Sequence, residues 1–148
     1  ALDQALGAAP ELPWLLAGRI LRRQDLVLAS RPRLLAQVPE AAAFYAQVDC
    51  VLNPMAGGTG LKIKTVEALA FGNPVLGTCD AFAGLPVEHP GHACADVTEV
   101  VALMREFAAS AAFRQELRLA SRLLALRQAA AVTAQQDALV ARLRAAAA

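Results

Sequence analysis

The segment between residues 49 and 78 constrains the fold of this chain more than any other. An apolar run at 49–52 leads into a glycine-rich turn at 57–60, and a helical pattern follows at 61–72. That pattern ends in glycine, and a proline two residues later prevents its continuation into a second apolar run at 74–78. The order predicts a strand, a turn, a helix and a second strand.

Short apolar runs alternate with helical patterns along the whole chain. This alternation predicts the α/β class, with a doubly wound parallel sheet and a helical C-terminal tail. The predicted strands lie at 14–17, 49–52, 74–78 and 92–95, with weaker strand or loop candidates at 25–29 and 34–38. The predicted helices lie at 1–9, 39–47 and 61–72, and three more follow residue 97, the last one capped by Thr133 with Gln136.

Composition narrows the class of protein. The chain has 148 residues, which predicts one domain over 1–148, and 57% of them are hydrophobic against 18% charged, which excludes disorder. No apolar run approaches the roughly 20 residues of a membrane helix. A formal charge of +1 predicts no binding to nucleic acid. Without a signal peptide at residues 1–10, we expect a cytoplasmic protein.

Cysteine and histidine side chains give no metal or disulfide pattern. Cys50, Cys79 and Cys94 are odd in number, widely spaced and set among apolar neighbours, so we expect buried, reduced thiols. His89 and His92 are three residues apart without a third candidate ligand. We therefore expect no metal.

Lys62 and Lys64 are the only lysines among fourteen basic residues, and both fall in the first turn of the predicted helix. Cations there oppose the helix dipole, which favours anions at the N-terminus by about 0.3–1 kcal/mol. A phosphate held by free amides of the 57–60 turn would resolve the conflict. The opposite helix face, with Ile63, Val66 and Ala70, is expected to be core.

The glycine cluster alone is a weak signal, because glycines mark turns more often than ligands. It matches neither the P-loop spacing nor G-x-G-x-x-G. Glu67 lies three residues beyond Lys64, so a surface ion pair is the alternative interpretation of both side chains.

A family resemblance favours the ligand interpretation. The run 58–78, together with residues 44–54 before it and Gly84-Leu85 after it, closely resembles the donor-binding half of retaining GT-B glycosyltransferases of the group 1 family. Weaker similarity extends over nearly the whole chain. The resemblance implies a Rossmann-like half of a GT-B fold, a nucleotide-diphosphate sugar as donor substrate, and a glycosyltransferase of the hexosyltransferase type without a cofactor.

The resemblance also implies roles for individual residues. It places turn amides and basic side chains on the diphosphate, a glutamate on the ribose and a backbone segment on the nucleobase. Lys62 and Lys64 would be catalytic, by stabilising the leaving diphosphate. The implied donor-binding residues are Val38, Gly58, Thr59, Gly60, Lys62, Lys64 and Glu67.

Two departures from the family pattern qualify these expectations. Many members carry a second glutamate where this chain has Thr59, which bears on contacts with the sugar. We also expect the chain to start after the strand and basic pair that usually open this half in the family, and the amino-terminal, acceptor-binding half to be absent. We therefore expect an N-terminally truncated fragment that binds donor without completing transfer, its partners being the missing domain and an acceptor at a membrane surface.

Two other functions stay open. One is a non-catalytic α/β scaffold that associates with proteins through its Ala/Leu-rich helices. The other is a sugar-nucleotide epimerase of the GT-B fold.

Overall fold

A computed structural model describes residues 1–147 and has the α/β architecture that the sequence predicts. Its helices and strands are short until the last two helices. In chain order they are α1 (Leu2–Gly7), β1 (Leu15–Ala17), β2 (Arg33–Leu35), α2 (Ala41–Tyr45), β3 (Val51–Asn53), α3 (Ile63–Ala70), β4 (Val75–Gly77), α4 (Val97–Ala109) and α5 (Ala111–Ala146), with 3-10 turns at Arg19–Arg22, Cys79–Phe82 and Pro90–His92.

The strands form two parallel pairs. β1 pairs with β2, and β3 pairs with β4 in the register Val51↔Val75, so the carboxyl ends of β3 and β4 lie side by side. The single doubly wound sheet expected from the sequence is not confirmed for residues 1–147. Each strand has three residues. Gly18, which has a positive φ, ends β1, and Pro54, which has no N–H, follows β3.

Several weaker sequence predictions need correction. Residues 25–29 form no strand, whereas the candidate at 34–38 contains the end of β2. The strand expected at 92–95 is reduced to one bridge between Cys94 and Thr78, because the 3-10 turn Pro90–His92 occupies the start of that segment.

β4 is buried on both faces and organises the core. Val75 packs in a cluster with Leu69 of α3 and Leu124 of α5. Leu76, its neighbour, packs in a second cluster with residues of α4 and α5, among them Val100 and Leu117. Because successive strand side chains point to opposite faces, β4 joins two apolar layers. A third cluster holds α1 against α4.

The cysteines differ in exposure. Cys94 is buried, and this burial raises the pKa of its thiol to about 11; Cys50 is half-buried. Cys79 is exposed, so the prediction that it is buried was wrong. It begins the 3-10 turn that follows β4, and its thiol lies 3.1 Å from the Ala93 carbonyl oxygen at the surface.

Two helices, not three, lie within residues 97–147. α5 continues through Thr133, whose hydroxyl donates to the Ala129 carbonyl at 3.1 Å, as it does in a helix interior. The predicted cap at Thr133 and Gln136 was wrong because residues 111–147 contain no glycine or proline to stop an alanine-rich helix. The true cap is Ser110, whose hydroxyl accepts from the Phe113 amide at 3.2 Å.

α5 packs against the body only through its first half. Its buried residues are Phe113, Leu117, Ser121 and Leu124, and every side chain from 129 to 147 is exposed. None of the helices in residues 1–147 has both the length and the apolar character that crossing a bilayer demands.

The two cap assignments predict opposite responses to alanine. Ser110→Ala removes the acceptor for a helix-terminal amide and should lower the free energy of unfolding by about 1 kcal/mol. Thr133→Ala, in the helix interior, should leave it unchanged or raise it slightly, because alanine is the better helix former. Urea titration of both variants checks this. An equal loss for the two would contradict a continuous α5.

Candidate functional site

The glycine-rich turn joins β3 to α3 at the edge where β4 also ends. Because β3 and β4 are parallel and paired in register, the turn and Thr78 lie at one sheet edge. The Thr78 hydroxyl donates to the Met55 carbonyl at the start of the turn. Ligands of open α/β folds bind at this kind of edge.

Thr65 ties the turn to its surroundings from inside the protein. Its hydroxyl is fully buried, accepts from Asn53 Nδ2 at 2.8 Å and donates to the Ala81 carbonyl at 2.7 Å. One side chain of α3 therefore connects the end of β3 with the segment that follows β4. Asn53 Oδ1 also accepts from the Met55 amide at 3.3 Å.

Glycine is required in the turn by its backbone. Gly57, Gly58 and Gly60 have φ angles of 75°, 87° and 73°, a region that side chains disfavour. The Gly57 amide donates to Asp80 Oδ2 at 2.6 Å. Over residues 1–147, the amides of Gly58, Thr59 and Gly60 have no protein acceptor. Three donors, not the four expected from the sequence, are thus available to an anion.

Lys62 is the N-cap residue of α3 and is only 7% exposed. Its Nζ lies 3.4 Å from the Thr59 carbonyl oxygen. A Cβ placed on Gly58 would lie 3.1 Å from the same Nζ atom. Within the described chain, no carboxylate oxygen lies within 4.0 Å of this ammonium group. A buried charge is costly unless it is paired, so this position suits a bound anion.

Lys62 and Lys64 lie on different sides of α3. The buried side consists of Lys62, Thr65, Ala68 and Leu69, whereas Lys64 is exposed. The prediction that Ile63 belongs to the core was wrong: Ile63 is 76% exposed. The same holds for Ala70, which is exposed, while Val66 is half-buried. The helix is rotated from the orientation that apolar periodicity predicts, so that a lysine replaces an isoleucine on the buried side.

A family model described as glycosyl transferases group 1 matches residues 4–110, most of the chain. The chain belongs to the glycosyl transferases group 1 family. No curated protein and no solved structure shows significant similarity to it. The matched range includes the glycine turn and every residue for which the sequence predicts a role in this glycosyltransferase domain; all of α5 lies outside it.

Lys64 and Glu67 of this family domain contact each other. Lys64 Nζ lies 2.5 Å from Glu67 Oε2, and this hydrogen bond raises the pKa of Lys64. The ion pair that was the alternative interpretation is therefore present. Lys64 does not bond to the turn, so the structure brings only one of the two ammonium groups to the three free amides.

Val38 lies elsewhere. It is half-buried in the loop between β2 and α2, and so belongs to the other strand pair. Its predicted contact with the nucleobase stays a prediction.

A cavity of about 370 Å³ opens beside the turn of the glycosyltransferase domain. It is lined by Ala56 of the turn, by Thr78, Cys79 and Asp80 after β4, and by Asp96 and Val97 at the start of α4. None of the predicted lysines lines it.

His89 and His92 have structural roles in the fold. His92 is 1% exposed, stacks on Phe82 at a 4.6 Å centroid distance, and its Nε2 lies 2.9 Å from Ser121 Oγ. His89 Nδ1 accepts from the Gly91 amide at 3.0 Å. Within residues 1–147, no three His, Cys, Asp or Glu side chains are grouped to bind a metal. Both histidines instead border a separate cavity of about 250 Å³ against α5.

Asp80 is the site residue that sequence reasoning missed. In the structure the Asp80 carboxylate accepts from the turn, whereas Glu88 pairs with Arg127 at 2.6 Å. Its place two residues after Thr78, at the edge where the turn also lies, was the signal that pointed to it.

Burial of His92 predicts a pH-dependent stability. Desolvation lowers the pKa of His92 from 6.5 to about 4, with a smaller contribution from His89. The unfolded chain therefore binds more protons than the native one between these values, and the free energy of unfolding should fall as pH falls from about 6.5 to 4. Each pKa unit corresponds to about 1.4 kcal/mol, so the loss should reach a few kcal/mol.

Urea titration from pH 7.5 to 4.5 measures this effect. His92→Asn should flatten the dependence, whereas His89→Asn, at a less buried position, should leave most of it. The same steep profile in wild type and His92→Asn would show that another group is responsible.

Proposed function

We propose that this domain binds a nucleotide-diphosphate sugar and positions its diphosphate as the leaving group of glycosyl transfer. The buried ammonium group of Lys62, next to three free turn amides and without a carboxylate partner, carries the proposal. Such an arrangement leaves a strong, directional set of donors unsatisfied. A diphosphate has the charge and the acceptor oxygens to satisfy them.

The diphosphate would lie over the turn in this proposal. Gly58, Thr59 and Gly60 would donate their amides, and Lys62 would approach from the buried side of α3. Lys64 would act from the exposed side, where its flexible stem allows it to reach a phosphate at the rim. The start of α3 adds the positive end of the helix dipole.

Glu67 would bind the ribose. A carboxylate only accepts hydrogen bonds and has four lone-pair sites, so it can accept from Lys64 and from two ribose hydroxyls together. The 2.5 Å ion pair then orients the carboxylate and does not compete with the ligand. Val38 would contact the nucleobase through its backbone.

The proposed chemistry is electrostatic. The bond from the anomeric carbon to the diphosphate oxygen breaks, and the oxygen of an acceptor hydroxyl bonds to that carbon. The nucleoside diphosphate leaves, and its phosphate oxygen takes up the hydroxyl proton. Amides and ammonium groups aimed at the leaving oxygens stabilise the charge that develops on them. We propose a retaining hexosyl transfer, in keeping with the family resemblance, in which the nucleotide sugar is the substrate and no cofactor takes part.

We further propose that this domain is the donor half of a GT-B enzyme, with the two strand pairs belonging to one doubly wound arrangement. An acceptor-binding half would then complete the cleft, so that residues 1–148 alone bind donor without transfer. The acceptor would lie at a membrane surface. The unbridged cysteines favour the cytoplasm as the compartment.

A scaffold function is the second candidate. It is favoured by α5, whose second half exposes Leu139, Val140 and Leu143 along a helix that leaves the body of the domain. Thermal unfolding separates the two candidates. Ligand at 100 times its dissociation constant adds about 2.7 kcal/mol to stability, whereas a scaffold responds to no nucleoside diphosphate.

Replacing the lysines tests the diphosphate assignment. Lys62→Met keeps the buried stem but removes the charge, and should weaken nucleoside diphosphate binding by about 10- to 100-fold, as loss of a charged hydrogen bond does. Lys64→Met should weaken it less, because Lys64 is exposed and already paired.

Calorimetry with UDP, GDP, ADP and dTDP gives the affinities, and urea titration checks folding. Lys62→Met should be no less stable than wild type, since it removes an unpaired buried charge. Unchanged affinity in both variants would rule out the diphosphate assignment.

Glu67 is tested by comparing two ligands. Glu67→Ala should weaken nucleoside diphosphate binding about tenfold through loss of the ribose contact, without weakening the binding of inorganic pyrophosphate. Glu67→Gln is the matched control, since its amide oxygen still accepts one hydroxyl. Equal losses for both ligands would place Glu67 on the phosphates or in the fold, not on the ribose.

A further inference from the structure

Asp80 reaches the glycine turn from the neighbouring strand connection. Its Oδ2 accepts from the Gly57 amide at 2.6 Å, across 23 residues of sequence. The carboxylate is exposed, and within residues 1–147 no lysine or arginine nitrogen lies within 4.0 Å of it. A hydrogen bond from a backbone amide to a carboxylate is charge-assisted, and so is stronger than a neutral one.

The segment that carries Asp80 is itself held rigidly. It forms the 3-10 turn Cys79–Phe82 directly after β4, where a Cβ on Gly77 would lie 2.7 Å from the Asn53 carbonyl oxygen and 3.1 Å from Ala81 Cβ. Such close packing leaves the segment no room to move towards β3.

Two further bonds from the same segment reach the turn and α3. The Thr78 hydroxyl donates to the Met55 carbonyl, and the Ala81 carbonyl accepts from Thr65 of α3 at 2.7 Å. Contacts from residues 78, 80 and 81 therefore fix the start of the turn, its first glycine and the helix after it. Of these contacts, only the one from Asp80 reaches a glycine of the turn.

A carboxylate close to the proposed diphosphate site has to be explained, because it repels an anionic ligand. Between exposed charges this repulsion is screened by salt, with a Debye length of about 10 Å at 0.1 M. The hydrogen bond acts directly on the backbone. Gly57 has a φ of 75°, and a glycine can adopt many other backbone conformations. Without the hydrogen bond to Asp80, those conformations would change the direction of the amides that follow.

We propose that Asp80 is a positioning residue for donor binding: it holds Gly57 so that the amides of Gly58, Thr59 and Gly60 keep the orientation that accepts the diphosphate. The inference rests on the proposed function, because that function assigns the diphosphate to those amides. The Asp80–Gly57 contact stands independently of it and has its own measurement.

Three variants of residues 1–148 test the role. Asp80→Ala removes the acceptor and should weaken nucleoside diphosphate binding about tenfold. Asp80→Asn keeps an amide oxygen that accepts from Gly57, so it should remain within about threefold of wild type. Asp137→Asn, on the exposed half of α5, removes the same charge far from the turn and should bind as wild type does. Calorimetry gives the affinities.

The Gly57 amide resonance provides a readout that general stability does not change. In Asp80→Ala it should move upfield, because the amide loses its acceptor, and in Asp80→Asn it should move less, because the amide oxygen still accepts. In Asp80→Ala the Gly57 amide should exchange its proton faster. Amides of the core strand β4 should keep their wild-type exchange rates in all three variants.

Each outcome decides between the alternatives. Wild-type affinity in Asp80→Ala overturns the positioning role while leaving the proposed function intact, and tighter binding in both Asp80 variants shows repulsion in place of positioning. No binding by wild type overturns the proposed function. The Gly57 resonance then still decides whether Asp80 holds the turn: unchanged exchange in Asp80→Ala overturns that as well.

Discussion

The candidate site depends on one buried hydroxyl group. Thr65 Oγ1 accepts from Asn53 at the end of β3 and donates to the Ala81 carbonyl after β4, and it does so at a position with no solvent access. A buried hydroxyl group without partners is costly, so α3 is stable in this rotation only while both partners are in place. This requirement locks helix, strand and following segment to one another.

The rotation set by Thr65 explains the positions of the two lysines. Residues 62, 65 and 69 share a side of a helix, so burying Thr65 and Leu69 also turns Lys62 inward and Ile63 outward. Apolar burial alone favours the reverse. The usual burial of apolar side chains is therefore violated at Lys62, whose buried charge lies beside three amides without an acceptor. Such violations are common at functional sites. The exposed Lys64 forms the ordinary surface pair with Glu67.

Much of the fold followed from pattern. The β3, α3 and β4 elements lie within about two residues of their predicted positions, because glycine and proline mark their ends. In α5 no such marker exists, and there prediction failed. α5 runs through Thr133 because a hydroxyl can cap a helix or bond within it, and only the surrounding residues decide which. The segment at 92–95 became a turn and one bridge, because the 3-10 turn Pro90–His92 occupies its start.

The sequence by itself determined the class of the fold, the glycine turn between a strand and a helix, and the family, since these depend on local order along the chain. Tertiary structure decided which lysine is buried, that Lys64 pairs with Glu67, and that Asp80 takes the first amide of the turn. These contacts follow from the rotation of α3 and the approach of two chain segments. Such relations depend on how buried groups find partners across the core, and no single segment of the sequence specifies them.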